Sequence, residues 1–200
     1  MEAASQHRPI EGEKAQRIVD AMRSSVARRG VAGSTFDQVA REAQVSRGLL
    51  HYYFGTKERL LAEVARRDCD LRMAALDAQL AGARDADGVI EALVESLRQF
   101  VEEDPAFVTL VFELFTLSRR NEEIAVEFAE LLRRIRVHLA ELLARKQAEG
   151  ALRLRGEPEA VADVLFALAD GISMRMLTER DRDFSETVAT GVLAIRALLD

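Results

Sequence analysis

Apolar residues recur every three or four positions along almost the whole chain, which is the spacing that places them on one face of an α-helix. The β-branched alternation typical of strands is absent, and only three prolines interrupt the pattern. The sequence therefore predicts an all-α protein. No apolar run reaches the roughly 18 residues that predict a transmembrane helix, and no apolar signal segment opens the chain.

The first predicted helix follows a polar arm, residues 1–12, and stops near Gly30, a good C-terminal cap. Thr35 and Gln38 have the spacing of a capping box, which predicts that a short second helix begins there. Each of the two helices has an apolar face that can pack on a core. These faces consist of Ala15, Ile18, Val19, Met22 and Val26 in the first helix, and of Phe36, Val39, Ala40 and Ala43 in the second.

Two more helices are predicted before the composition changes. Ser46 is placed to cap the third helix, and Thr56 to cap a fourth that runs from Lys57 towards Leu80. Beyond Ala81 the pattern predicts five further helices. They are separated at residues 82–88, 103–105, 119–122, 150–158 and 178–184.

The second and third helices have the pattern of a helix-turn-helix, in which the outer face of the second of the pair enters the major groove of DNA. Residues 44–46 form the predicted turn, and Leu50 and Phe54 are spaced to anchor the third helix to the core. This leaves one side of the third helix free. Its residues are Arg47, Gly48, Leu49, His51, Tyr52 and Tyr53.

The free side carries chemistry suited to DNA. Arg47 can donate two hydrogen bonds to guanine, Leu49 can pack on a thymine methyl group, and His51 can bond a base edge or a phosphate. Gly48 allows close approach of the backbone. Hydroxyl groups, and a lysine at a helix N-terminus, suit phosphate oxygens. The hydroxyl groups are those of Thr35, Tyr52 and Tyr53, and the lysine is Lys57; Ser46, at the start of the third helix, is also expected to bind DNA.

The alternative is that both tyrosines belong to the core and Arg47 is a solvated charge. Net charge helps to decide between these interpretations. The whole chain carries −6, but residues 1–70 hold 12 Lys and Arg against 10 Asp and Glu, and the remainder holds 16 against 24. The basic balance is thus confined to the part of the chain that contains the predicted DNA-binding residues.

Residues 35–61, TFDQVAREAQVSRGLLHYYFGTKERLL, resemble the N-terminal signature of the TetR family of transcriptional regulators. The resemblance extends over about residues 13–65; the rest of the chain agrees in length and helical layout. Leu49 departs from the usual Thr and His51 from the usual Tyr, so the operator sequence cannot be taken from relatives. The matching positions are Thr35, Val39, Ala40, Val45, Ser46, Gly48, Leu50, Tyr53, Phe54, Lys57, Glu58 and Leu60.

The resemblance implies a nine-helix protein with two domains. Residues 13–65 are expected to bind DNA, with the fourth helix continuing to about residue 80 as a connector. Residues 66–200 are expected to bind a small-molecule inducer and to form a homodimer through the last two helices. No cofactor or metal is expected.

The last two predicted helices carry apolar stripes that can form such an interface, although both stripes can also face the core of their own subunit. Small or flexible side chains on the eighth helix permit close approach of two helices. The predicted interface residues are Ala167, Gly171 and Met174 on the eighth helix and Val188, Val192, Ile195 and Leu199 on the ninth.

A ligand cavity is expected between the fifth to eighth helices, with an apolar and aromatic lining. His138 continues an apolar stripe, so it either reaches a ligand or is a hydrogen-bonded core histidine. Glu113 and Asp170 have the same two interpretations. The remaining predicted ligand-binding residues are Phe100, Phe107, Leu110, Leu114, Phe128, Leu132, Ile135, Phe166 and Met176.

Other classes of function fit less well. The histidines at 7, 51 and 138 have no metal-binding spacing, no catalytic motif occurs, and the single Cys69 lies among charged residues. A lone cysteine fits a reducing cytoplasm. We expect a cytoplasmic, ligand-responsive repressor of a palindromic DNA operator, released by a small apolar or aromatic inducer. An activator, or a non-inducible regulator of the same fold, is the alternative.

Overall fold

A computed structural model of the chain describes residues 12–199; the predicted arm lies outside them, apart from Gly12. The described residues form nine α-helices, which confirms the all-α, nine-helix prediction. A boundary between Ala65 and Arg66 divides the chain into two compact units. The helices are α1 (Glu13–Gly33), α2 (Phe36–Glu42), α3 (Arg47–Phe54), α4 (Lys57–Ala81), α5 (Ala86–Arg98), α6 (Pro105–Ser118), α7 (Glu122–Ala148), α8 (Pro158–Thr178) and α9 (Ser185–Leu199), with a π-helical segment at Gln99–Glu103.

Local sequence signals explain where the first helices begin and end. α1 is broken at Gly30, whose φ of 71° and ψ of 172° lie outside helical geometry, as the predicted stop requires. The capping box is present, because Gln38 N donates to Thr35 Oγ1 at 3.4 Å and Thr35 N donates to Gln38 Oε1 at 3.2 Å. Thr56 caps α4 by accepting from Arg59 N at 3.2 Å. Ser46 occupies the N-cap of α3 but makes no side-chain capping bond, so that part of the prediction is wrong.

The first unit has its own apolar core, and ion pairs tie its helices together. Arg28 and Arg29 each donate to the Glu42 carboxylate at 2.6 Å, which joins α1 to the end of α2. These hydrogen bonds lower the pKa of Glu42, and the bond from Arg29 has the larger effect. The largest side chains of this core are fully buried, namely Ile18, Met22, Leu50, Leu60 and Leu61.

The second unit contains α5 to α9 and the remainder of α4. Lys146 is buried, and its ammonium donates to Ala83 O at 3.0 Å and to Glu149 at 2.8 Å, so α7 holds the loop that follows α4. No helix among residues 12–199 has both the length and the apolar character needed to span a membrane. The core of this unit includes Leu80, Val89, Ile90, Leu139, Leu142, Leu143, Val161, Leu165 and Leu199.

Candidate DNA-reading surface and ligand cavity

The turn between α2 and α3 is tight because Gln44 adopts a left-handed backbone, with a φ of 54°. Two backbone hydrogen bonds close this turn, from Ala43 N to Val39 O at 2.8 Å and from Val45 N to Ala40 O at 3.0 Å. They fix where α3 starts relative to α2. The turn therefore lies at the predicted residues.

One side of α3 is anchored and the other is open. Leu50 is fully buried and Phe54 is 3% exposed, as the predicted spacing requires. Tyr52 is 77% exposed, which excludes the alternative that it belongs to the core. Tyr53 and Leu49 are half-buried. The other exposed residues of the predicted set on α3 are Arg47, Gly48 and His51.

Arg47 is not a free surface charge. Its Nη1 donates to both carboxylate oxygens of Asp37, at 3.1 and 3.2 Å. Asp37 lies in the first turn of α2 and was missed in the sequence, because ten positions of the chain separate it from its partner. The pair places an acidic group beside the arginine that is expected to read bases.

His51 is oriented by two neighbours. Its Nδ1 lies 3.0 Å from Gly55 O, and because a carbonyl only accepts hydrogen bonds, Nδ1 carries the hydrogen. The ring packs edge-on against Phe36 with the ring centres 4.9 Å apart. In the neutral imidazole this leaves Nε2 as an acceptor on an exposed side chain. Such an acceptor can receive a hydrogen bond from the amino group of a base.

The described part of the chain gives no structural reason for glycine at position 48. A Cβ added there would meet only Ser46 Oγ, at 4.0 Å, and the backbone of Gly48 is helical. Glycine is less favourable than alanine inside a helix. The position therefore favours a reason outside the chain, such as close approach of DNA.

Two residues predicted to contact phosphate also have roles in the fold. The Thr35 hydroxyl belongs to the capping box, where it also donates to Gln38 Oε1 at 3.2 Å. The Lys57 ammonium donates to Val31 O, at the end of α1. The Lys57 ammonium keeps two further donors that a phosphate can use, whereas the Thr35 hydroxyl would have to exchange its bond to Gln38 for one to phosphate.

The second unit contains a cavity of about 690 Å³ whose wall is formed by α4 to α9 and the π-helical segment. This volume suits a drug-sized ligand. The wall is mainly apolar and includes six phenylalanine side chains. The predicted ligand-binding residues that lie on the wall are Phe100, Phe107, Phe128, Leu132, Ile135, His138, Phe166 and Asp170.

The other predicted ligand-binding residues do not lie on this wall. Leu110 and Leu114 on α6 are each only 1% exposed and are not among the residues that line the cavity. Glu113 and Met176 also lie away from the wall. The predicted set of ligand-binding residues was therefore too large, since a buried helix has apolar side chains on more sides than the one that faces a cavity.

The cavity wall carries charges, and its cationic side chains have acidic partners. Asp170 does not have a cationic partner among residues 12–199. Asp170 is exposed in the single chain, and partial desolvation by its surroundings raises the pKa of its carboxyl group. An unpaired carboxylate in such a cavity favours a cationic ligand. The acidic partner of Arg72 is Asp104 at 3.0 Å, and that of Arg136 is Asp163 at 3.7 Å. His138 Nε2 lies 3.1 Å from Asp77 Oδ1, but neither atom has a hydrogen-bond partner among the described residues.

α4 contributes residues to the cavity that the sequence did not reveal. Cys69, Arg72 and Met73 lie on the wall, although their helix has little amphipathic pattern by which to recognise them. Burial raises the pKa of the Cys69 thiol to about 12, so this cysteine stays protonated and unreactive.

The faces of α8 and α9 differ from the predicted interface. Leu199 is fully buried in the core of its own chain and is therefore a wrong choice for contact with a partner. Val192 and Ile195 pack against the same core, and Val188 lies on the cavity wall. The exposed apolar residues of these two helices are Ala160, Val164, Ala167, Met174, Ala189, Leu193, Ala194 and Ala197.

A helix-turn-helix with an open reading face, joined in one chain to a helical unit with a cavity, is the layout of a DNA-binding transcriptional regulator. A family model described as bacterial regulatory proteins, tetR family, matches residues 18–64. Another, described as BetI-type transcriptional repressor, C-terminal, matches residues 86–199. The chain belongs to the TetR family of transcriptional regulators, which are not enzymes.

Similar proteins agree with this assignment. The HTH-type transcriptional regulator BetI of Agrobacterium fabrum is 30% identical over 161 residues, 79% of this chain and 74% of that protein. A transcriptional regulator from Saccharomonospora viridis in complex with choline has a TM-score of 0.73 at 22% identity, covering 95% of this chain and 100% of that one. FadR of Bacillus subtilis in complex with stearoyl-CoA has a TM-score of 0.69 at 16% identity, covering 90% and 96%. Both structures share the fold.

Proposed function

We propose that the protein is a ligand-responsive repressor that binds a palindromic operator as a homodimer and is released by a small organic inducer. The observation that carries the proposal is the two-sided α3, with Leu50 and Phe54 buried beneath an exposed row of base-reading and phosphate-binding side chains. In a dimer, two such helices enter successive major grooves about 34 Å apart. A DNA-binding regulator of this kind acts in the cytoplasm.

The dimer is supported by apolar surface that has no partner among residues 12–199. Met174 on α8 is 50% exposed, and Leu193 on α9 is 67% exposed. Ala167 and Gly171 have small side chains, so another helix can approach the α8 backbone closely there. A Cβ added to Gly171 would meet nothing within 4 Å. Large exposed apolar side chains next to small ones suit close packing of helices across a twofold axis.

The cavity supports an inducer with an apolar or aromatic body and a positively charged group. The phenylalanine-rich wall would hold the body, and the unpaired Asp170 carboxylate would attract the charge. The choline complex of the regulator from Saccharomonospora viridis supports a quaternary ammonium group as one such charge. The stearoyl-CoA complex of FadR offers a different class of ligand for the same fold.

Induction would change the population of two conformers. A ligand that binds one conformer better shifts the protein towards it, and the change reaches the DNA-binding unit through α4, which runs from Lys57 to Ala81. A conformer with the wrong spacing of the two α3 helices would leave the operator. An activator of the same fold would use the same site with the opposite effect on transcription.

A gel-shift assay with the DNA that flanks the gene tests the proposal. Arg47→Ala and Tyr53→Ala should each weaken binding at least about tenfold, because each removes a contact to DNA. Arg155→Ala is the matched control, since this exposed arginine lies between α7 and α8 and should leave the affinity unchanged. Unchanged affinity in both test variants would contradict DNA reading by α3.

A further inference from the structure

Arg72 lies over two aromatic rings of the cavity. Its guanidinium carbon is 5.2 Å from the centre of the Phe100 ring and 4.6 Å from that of Phe107. The two ring centres are 5.6 Å apart and the rings are inclined at 79°, so they form a corner. A cation within about 6 Å of a ring centre is attracted by the negative face of the ring. The corner is therefore a cation-binding arrangement that a side chain of the chain itself occupies.

Asp104 holds Arg72 in this place. Its Oδ2 accepts from Arg72 Nη2 at 3.0 Å, while its Oδ1 accepts from Phe107 N at 3.2 Å and caps α6. The side chains of Arg72 and Asp104 are only 28% and 18% exposed, so water screens this pair less than a surface pair. One carboxylate thus fixes both the arginine and the start of the helix that carries Phe107.

The backbone beneath Phe100 is also unusual. Phe100 lies in the π-helical segment Gln99–Glu103, between the end of α5 and Asp104. π-Helical turns are rare and occur often at functional sites, because the extra residue redirects side chains. Here the turn places an aromatic ring on the cavity wall.

The charges of the cavity favour a cationic ligand at this corner over an anionic one. An anion would have to compete with Asp104 for Arg72, and it would share the cavity with Asp170, which lacks a cationic partner in the described part of the chain. For an organic cation, both interactions are favourable. It can occupy the same ring faces as the guanidinium and gains from the unpaired carboxylate.

We propose that the corner formed by Phe100 and Phe107 is the cation subsite of the cavity, that Arg72 is its internal occupant, and that an organic cation of the trimethylammonium type binds by replacing Arg72. The inference rests on the proposed function, because it takes the cavity to be the inducer site. It assigns to Arg72 the role of a competitor and not that of a ligand-binding group.

Replacement of Arg72 also links the ligand to α4. While the guanidinium lies on the rings, one side chain of α4 is bound to the π-helical segment and to the first turn of α6. A cation in the corner removes these contacts from Arg72. α4 then loses this connection, and it is the helix that continues into the DNA-binding unit.

Calorimetric binding of choline to the full-length protein, in the absence of DNA, tests the subsite. The neutral isostere 3,3-dimethylbutan-1-ol should bind at least about tenfold more weakly than choline, because it lacks the charge. Arg72→Met should strengthen choline binding about fivefold, since it removes the competitor but keeps a long apolar side chain. Phe107→Leu in the Arg72→Met background should abolish this gain.

Arg136→Met is the matched control. Arg136 also lies on the cavity wall and pairs with an acidic side chain, so its removal changes the charge of the cavity by the same amount. Equal strengthening by Arg136→Met and Arg72→Met would overturn the proposal, because charge alone would then explain both. Weakened or unchanged choline binding by a folded Arg72→Met variant, or no choline binding by any variant, would also overturn it. Arg72→Lys, which keeps a cation near Asp104, covers the case in which Arg72→Met does not fold, and should give a smaller gain.

Hydrogen exchange supplies the readout for α4. Choline should speed amide exchange around Arg72 in the wild-type protein and leave it unchanged in Arg72→Met. Slower exchange in the wild-type protein would contradict replacement. A separate gel shift of operator binding distinguishes this inference from the proposed function. If choline does not bind, but the protein still binds the operator and another compound releases it, the inference is wrong and the proposed function stands.

Discussion

Arg47 Nη1 lies 3.1 Å from Asp37 Oδ1, so an acidic side chain at the start of α2 holds the arginine that we propose α3 presents to DNA. Both side chains are more than half exposed, at 59% and 62%. An exposed pair of this kind contributes little to stability. We therefore expect the pair to affect DNA recognition. The carboxylate restricts the conformations of the arginine side chain, and its negative charge repels the phosphates of DNA.

Asp37→Asn should increase the affinity for DNA of any sequence and decrease the specificity for the operator. Without the carboxylate, binding to random DNA should become stronger, because a negative charge is removed beside the phosphates. Discrimination between the operator and a single-base variant should fall several-fold, since Arg47 is less well oriented. Fluorescence anisotropy over a series of salt concentrations measures both quantities.

The control for this prediction is Asp181→Asn, which removes an exposed carboxylate from the loop between α8 and α9. It should change neither affinity nor discrimination. If Asp37→Asn also left both unchanged, the Asp37–Arg47 pair would have no part in DNA recognition.

Gly48→Ala should have opposite effects on the free protein and on its complex. Alanine is the better helix former, and the added Cβ meets only Ser46 Oγ at 4.0 Å, so the free protein should gain about 0.5–1 kcal/mol. The same methyl group should obstruct the approach of the α3 backbone to DNA and weaken binding at least about tenfold. Chemical denaturation and a gel shift on the same sample measure the two effects. A variant that is more stable and binds DNA equally well would refute the close-approach explanation.

Much of the α2–α3 surface could be predicted from the sequence, and the parts that could not have physical reasons. Thr35, Gln38, Leu50 and Phe54 are predictable because capping and helix periodicity act over three or four positions. The contact of Asp37 with Arg47 joins two helices across a turn, and the pattern within each helix carries no signal for it. Local rules also failed at Ser46, which has the N-cap position without the bond.

In the second unit, too, local patterns in the sequence do not predict contacts between helices. α9 has apolar residues on two faces, and periodicity does not say which one meets the core, so the sequence assigned the buried Leu199 to the interface and did not single out the exposed Leu193. Arg72 was missed because an arginine on a helix usually indicates a solvated face. Only the fold brings it over Phe100 and Phe107.

Leu193→Asp should convert the proposed dimer to monomers. Leu193 is 67% exposed in the single chain, so the substitution should leave the fold of the subunit intact while placing a charge in the apolar interface. Analytical ultracentrifugation at micromolar concentration measures the change in mass, and operator binding should fall with it. Val126→Asp is the matched control, because Val126 is 66% exposed on α7 and should leave the mass of the dimer unchanged. An intact dimer in Leu193→Asp would place the interface elsewhere.

The affinity for an organic cation should depend on pH through Asp170. Desolvation raises the pKa of this carboxyl group in the free protein, and a bound cation would lower it, so binding releases a proton. The choline affinity should therefore fall as the pH drops through the raised pKa of Asp170 and should be constant well above it. Calorimetry between about pH 4 and pH 8 measures the profile.

Asp170→Asn should bind choline weakly and lose this part of the pH dependence. The comparison is needed because other titratable or charged groups, Arg72, Arg136, His138 and Asp163, share the cavity wall. A profile that is identical in the wild-type protein and in Asp170→Asn would show that Asp170 does not meet the ligand.

In vitro selection of DNA by the purified protein tests DNA reading by α3 most directly. The wild-type protein should enrich an inverted repeat whose half-site centres are about 10 base pairs apart, or a multiple of one helical turn, as two α3 helices of a dimer require. Arg47→Ala should lose the preference at one base pair in each half-site and keep the others. Enrichment of no sequence, or of the same sequence by both proteins, would contradict the account.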